Sequence, residues 1–194
     1  MLQKLYDWTM GLAAHRHATW ALGFISFIES SFFPIPPHPV LAGMVLANRD
    51  KAWLYAAIAS ITSVLGGIAG YLIGFYLYDL VGKPIIDLYG KAEHFETFTT
   101  VYNEKYGAWA VFVAGVTPFP YKVITIASGI TKLDFTIFVV ASVAARSLIF
   151  FTISALLYFY GPPIRTFVEK RLALMATVFC VLLIGGFALI KYAL

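Results

Sequence analysis

A single cysteine, Cys180, in 194 residues rules out disulfides and cysteine-ligated metal sites. Charge is also scarce. Only 12% of residues are Asp, Glu, Lys or Arg, while 60% are hydrophobic and the mean hydropathy is +0.81, far from a soluble domain with its usual quarter or so of charged residues. This excludes an ordinary soluble protein and implies one polytopic membrane domain over residues 1–194. The net charge of +4 has no Lys/Arg run behind it, so nothing tracks nucleic-acid phosphates, and a membrane with anionic headgroups is the better partner. The four histidines, His15, His17, His38 and His94, lack ligand spacing with carboxylates or thiols, apart from the His15/His17 pair. No phosphate-binding glycine loop precedes a Lys-Ser/Thr, so ATP does not drive the protein directly. Ser128-Gly129 matches an intramembrane serine nucleophile in two letters only, and no histidine follows in a later span to act as base. The chain reads as a non-enzyme without metal or cofactor.

What is present is a pair of proline-broken apolar segments. Phe27-Ile28-Glu29-Ser30-Ser31-Phe32-Phe33-Pro34-Ile35-Pro36-Pro37-His38-Pro39 is one, and Val113-Ala114-Gly115-Val116-Thr117-Pro118-Phe119-Pro120-Tyr121-Lys122 is the other. A straight spanning helix must satisfy every backbone group itself, so neither is an ordinary span. Irregular backbone at membrane depth survives only where protein buries it or where it lines a polar cavity, which points to a transporter-type site between the breaks.

The remaining pattern gives the architecture. Residues 1–17 read as an interfacial helix, 18–47 as re-entrant hairpin 1, 52–78 as a transmembrane helix and 83–106 as an interfacial amphipathic link. Residues 107–130 read as re-entrant hairpin 2, followed by transmembrane helices at 133–160 and 172–191. The expected fold is all-α, an inverted repeat of hairpin plus span with an extra C-terminal span, because a hairpin returns to its own side while the next helix crosses. Gly66, Gly70 and Gly74 make a smooth face on the first span for close helix packing. Lys4, Arg16, Arg49, Lys51, Arg165, Lys170 and Arg171 outnumber Lys83, Lys91, Lys105, Lys132 and Lys191 of the other face only slightly, favouring the first face, with the N-terminus, as cytoplasmic.

Few ionisable groups fall inside the membrane: Glu29, Lys122, Arg146 and His38. Arg146 lies near the middle of its span, where a charge costs at least ~2.5–3.5 kcal/mol and requires a partner or a wet cavity. Glu29 is that partner, either as a site group or as half of an ion pair that merely locks the bundle. Lys122 either joins the site or snorkels to the interface. Thr117-Pro118 has the form of an N-cap followed by proline at the first helical position, and Pro36-Pro37-His38-Pro39 suits another helix start. Two helix N-termini, with Lys122 and Arg146 against Glu29, make the inferred cavity net positive and favour an anionic guest.

Phe27-x-Glu29-Ser-Ser-Phe-Phe-Pro34-x-Pro36-Pro37, Thr117-Pro118-x-Pro120-Tyr-Lys122 with Gly129, and Arg146 together resemble the signature of the DedA superfamily, in its YqaA-like branch. The shared region is also called the VTT or SNARE-associated domain, and the similarity covers nearly the whole chain. The resemblance implies two re-entrant hairpins in an inverted repeat and movement of lipids, undecaprenyl phosphate or phospholipid, across the bacterial inner membrane. It maps Glu29 onto the family's membrane-embedded acid and Arg146 onto its essential arginine. Three positions depart from the pattern: His38 stands for an acid, Ala114 for a basic residue and Ile149 for a second arginine, changes that bear on proton coupling.

The leading expectation is a lipid translocase or scramblase that passes an anionic headgroup through the cavity, its site drawn from Glu29, Arg146, Lys122, Pro34, Pro36, Thr117, Pro118, Pro120 and His38. A membrane scaffold for envelope integrity, and a small-ion or proton exchanger, are the alternatives. A homo-oligomer is compatible with each.

Overall fold

The computed structural model describes residues 17–32, 36–84, 92–117 and 119–161, which form helices joined by short turns. The order is α1 (Ala18–Ser31), α2 (His38–Ala47), α3 (Ala52–Leu77), α4 (Ala92–Val101), α5 (Gly107–Val116), α6 (Tyr121–Ile130) and α7 (Phe135–Gly161). With its flanking turns α3 belongs to a helical run from Arg49 to Leu80, 32 residues long, and α7 has 27. At 1.5 Å per residue either exceeds the ~30 Å of a bilayer's hydrocarbon core. The interfacial helix over 1–17, apart from His17, and the last span over 172–191 lie outside the described residues, as do Pro34 and Pro118.

Proline sets the breaks. α1 stops at Ser31, with the Phe32 N–H still bonding to the Ile28 carbonyl, and α2 starts directly after Pro37 with Pro39 in its first turn, where a missing N–H is harmless. In the second segment the expected cap is corrected. Thr117 is extended (φ −97°, ψ 167°) and closes α5, whereas α6 begins at Tyr121 with Pro120 in the capping position. Pro120 biases Phe119 away from helical backbone, so winding cannot resume until the proline has passed. The amphipathic link also differs in detail. Helical winding runs unbroken from Ala92 to Val116, and the boundary placed after residue 106 is a π-helical turn at Tyr102–Tyr106.

α3 is the post against which both broken segments lie. Gly23 of α1 faces Ile58 and Thr62, a Cβ on Gly66 would strike the Phe27 carbonyl, and one on Gly70 would approach the Ser30 carbonyl. Contacts that advance together along both helices mean that α1 runs beside α3 in the same direction and ends near its middle. α6 takes over there. Tyr121 and Thr125 lie over Gly67, a Cβ on Gly74 would strike the Ile126 carbonyl, and one on Gly129 would meet the backbone of Tyr71 and Phe75. Only glycine permits this backbone-on-backbone approach.

The partner helices of each segment turn to α7. Val40, Leu41, Met44 and Val45 of α2 join Phe150 and Leu157 in one buried cluster with Leu22 and Ala56. Val111 of α5 joins Tyr71, Tyr121, Leu133, Phe138 and Ala141 in a second, and a Cβ on Gly115 would press on Ala145. The turns after the segments grip the opposite span. Arg49 reaches the Tyr158 carbonyl (3.5 Å) at the C-terminal end of α7, while Lys132 pairs with Asp79 (3.1 Å) beyond the end of α3 and lies over the Phe75 and Tyr78 rings.

Candidate site at the buried ion pair

α7 carries Ser142, Arg146, Phe150 and Ser154 at intervals of four residues, one buried stripe on a helix with no other charged residue. Arg146 Nη2 meets Glu29 Oε2 at 3.0 Å, with only 3% of the arginine side chain and 15% of the glutamate exposed. The two hydroxyls between them complete a ring. Arg146 Nε donates to Ser63 Oγ (2.5 Å), which leaves the Ser63 proton for Ser30 Oγ (2.6 Å), whose own proton goes to Glu29 Oε2 (3.2 Å). In this circuit Glu29 only accepts, as an ionised carboxylate does.

Aromatic rings also pack on the guanidinium. Its carbon stands 4.7 Å from the centroids of both Tyr121 and Phe150, two cation–π contacts suited to a planar, weakly hydrated cation. His38 stacks on Phe150 (5.4 Å between centroids) and so buttresses one of these rings. Among the described residues, two of the five guanidinium N–H groups have hydrogen-bond partners. The breaks meet beside this cluster, where Thr125 Oγ1 donates to the Ser30 carbonyl (3.2 Å) and Ser31 Oγ donates to the Gly66 carbonyl (3.0 Å).

Residues 33–159 match the VTT domain. The chain belongs to the VTT domain family. Relatives of this VTT protein include an uncharacterized protein of Haemophilus influenzae, 35% identical over 96% of both chains. A Histophilus somni relative is 37% identical over 73% of each. Undecaprenyl phosphate transporter A of Bacillus subtilis is 33% identical over 57% of this chain and 58% of its own. No solved structure matches.

Of the residues singled out in the VTT protein's sequence, Glu29, Arg146 and His38 converge. Pro36, Thr117 and Pro120 lie in the connections between the paired helices, Pro36 and Thr117 exposed and Pro120 half-buried. Lys122 is half-buried in the first turn of α6 and makes no ion pair among the described residues. Sequence reasoning missed Ser30, Ser63, Tyr121 and Phe150. Phe150 and Ser142 were findable, one turn either side of Arg146, whereas Ser63 becomes a partner only through the packing of α3 on α7. An apolar groove of about 470 Å³ between α5 and α7, lined by Trp109, Phe112, Val140 and Ala144 among others, lacks charged residues and does not include the ion pair.

Proposed function

We propose that this membrane protein is a lipid translocase of the bacterial inner membrane that moves an anionic headgroup, a polyprenyl phosphate or an acidic phospholipid, past Arg146. The observation that carries the reading is a buried arginine at mid-span, held between two broken segments, whose N–H donors are only partly used among the described residues. A guanidinium engages phosphate bidentately, and at this depth it is the strongest anion-binding group available. Relatives named undecaprenyl phosphate transporter A, in Bacillus subtilis and Staphylococcus aureus, support the substrate class.

In this reading the broken segments are re-entrant hairpins of an inverted repeat. Support comes from α1, which ends at the middle of α3, and from the ends of the second segment, where Asn103 donates to the Thr131 carbonyl (2.7 Å) and Gly107 packs on Leu133. Uncapped starts of α2 and α6 leave N–H groups near the breaks. The headgroup passes between the hairpin tips while its tail stays in the bilayer. Glu29 holds Arg146 at rest and offers one position for a coupled proton.

The deciding experiment compares transport of polyprenyl phosphate, phosphatidylglycerol and phosphatidylethanolamine by the purified protein in liposomes. Wild type should favour the first two, and Arg146→Lys should lose most of the activity although it keeps the charge. Equal rates for all three lipids, unchanged in Arg146→Lys, would reduce the protein to a nonselective groove. An inactive preparation with a well-folded ion pair would favour the scaffold reading instead.

A further inference from the structure

Tyr121 and Ser142 bury their hydroxyls completely, yet neither completes a well-formed hydrogen bond among the described residues. Such groups are expensive to leave unpaired, and native interiors keep few of them. Ser142 is the side chain nearest to pairing with the phenol, but the two hydroxyls do not reach hydrogen-bonding geometry with each other. Their position relative to the arginine is fixed independently. The Tyr121 ring carries the Arg146 guanidinium on its face, and Ser142 stands one turn before Arg146 on the same buried stripe. Glycine lets the phenol lie close against its neighbours: a Cβ on Gly67 would come within 3.3 Å of Tyr121 Oη, and one on Gly115 within 3.4 Å of the ring edge.

We infer that Tyr121 and Ser142 form a hydroxyl dyad that receives phosphate oxygens beside Arg146. The inference rests on the translocase reading and specifies which groups, other than the arginine, recognise the headgroup. Glu29 occupies one guanidinium edge, so a phosphate approaching the free N–H donors meets two O–H donors without first expelling the carboxylate. Hydroxyls suit a transient guest. They add directional bonds to a dianionic or monoanionic oxygen without adding charge, so binding stays weak enough for release.

The two roles available to a buried hydroxyl predict opposite signs. A structural hydroxyl has a partner, and its removal destabilises, whereas an unpaired one is removed at no cost or with a gain. Tyr121→Phe and Ser142→Ala in the full-length protein should therefore melt in detergent at or above the wild-type temperature. In liposomes containing labelled polyprenyl phosphate the same variants should transport about tenfold more slowly each, the size expected for a hydrogen bond to a charged oxygen. Phosphatidylethanolamine scrambling serves as the control lipid.

Lower melting temperatures, or full phosphate-lipid transport in both variants, would overturn the dyad. If Arg146→Gln abolishes transport while both hydroxyl variants work normally, the dyad alone fails; if Arg146→Gln is active, the translocase reading fails with it. Inorganic phosphate added to lipid-free micelles identifies the source of the ligand. No thermal shift, with a shift from polyprenyl phosphate that both variants lose, supports a lipid headgroup, and a shift from the free ion lost in both variants upholds the dyad as a phosphate site for that ion.

Discussion

The two proline-broken segments share a scaffold and divide the chemistry. Each lays one helix on α3 and the other toward α7, each presses carbonyl or amide backbone onto a glycine of α3 or against its own glycine, and each is followed by a basic residue that grips the opposite span. Their contents differ. The first segment supplies the carboxylate Glu29 and the serines that complete the ring with Arg146, while the second supplies the Tyr121 ring and Thr125, which ties the two tips together. The shared scaffold brings the two breaks together, and side chains that differ between the segments make the meeting point asymmetric. In the proposed translocase, such asymmetry lets one segment hold the arginine while the other stays available to a guest.

The largest expected effect breaks this division at its charged side. Arg146→Ala leaves Glu29 buried without its cation and should cost roughly 3–5 kcal/mol, because the carboxylate keeps its desolvation penalty and loses its compensation. Glu29→Gln combined with Arg146→Gln removes both charges and should recover most of that stability, with transport still absent. Denaturation of the three proteins in the same detergent measures the difference. A double variant no more stable than Arg146→Ala would show that the ring of Ser30 and Ser63, rather than charge, sets the stability of the cluster.

A second test sharpens the shared scaffold. Gly66 faces the Phe27 carbonyl and Gly74 faces the Ile126 carbonyl, so alanine at either position must push a backbone aside. Each substitution should destabilise by about 1–3 kcal/mol, the range for overpacking a tight contact. If the segments are held equivalently, the two losses will be similar and will add when combined, since the contacts lie two helical turns apart. A loss confined to Gly66→Ala would mean that only the first segment depends on this approach.

Much of this was legible in the sequence because the bilayer leaves so few solutions. Paired Pro-x-Pro breaks in apolar chain admit little besides helices that stop at membrane depth, and a lone mid-span arginine demands an acid, which is why Glu29 and Arg146 could be paired before any coordinates. The glycine face of α3 was equally readable, though not which carbonyls it receives. Thr117 was misplaced because the cap pattern was read without the second proline, whose effect on Phe119 delays α6 to Tyr121. The contacts that Ser63 and Tyr121 make with Arg146 were not readable for a different reason. Hydroxyls and aromatics are common in apolar segments, and only the tertiary packing of α3, α6 and α7 distinguishes the ones that touch a guanidinium.

The smallest expected effect compares the residues that follow the segments. Arg49 approaches the C-terminal end of α7, where a cation is favoured by the helix dipole, and a Cβ on Gly161 would lie 2.7 Å from its Nη2. Lys132 pairs with Asp79 at an exposed site, with 47% and 52% of the side chains accessible, so solvent screening limits that pair to well under ~1 kcal/mol. Lys132 also adopts φ 52°, a left-handed conformation that carries a cost of about 1 kcal/mol for a residue with a Cβ. Lys132→Ala loses the ion pair and the contacts with Phe75 and Tyr78 but retains the strained backbone, so it should destabilise by roughly 0.5–1 kcal/mol. Lys132→Gly loses the same contacts and relieves the strain, and should stay within ~0.5 kcal/mol of wild type. Arg49→Ala, with no such strain to relieve, should cost about 0.3–1 kcal/mol. Thermal denaturation at low and high salt separates the contributions, because the charge-dependent losses shrink with screening while the difference between Lys132→Ala and Lys132→Gly does not. Equal stability of those two variants would show that the turn before α7 tolerates a left-handed side chain freely, and that Lys132 holds its place through the contacts with α3 alone.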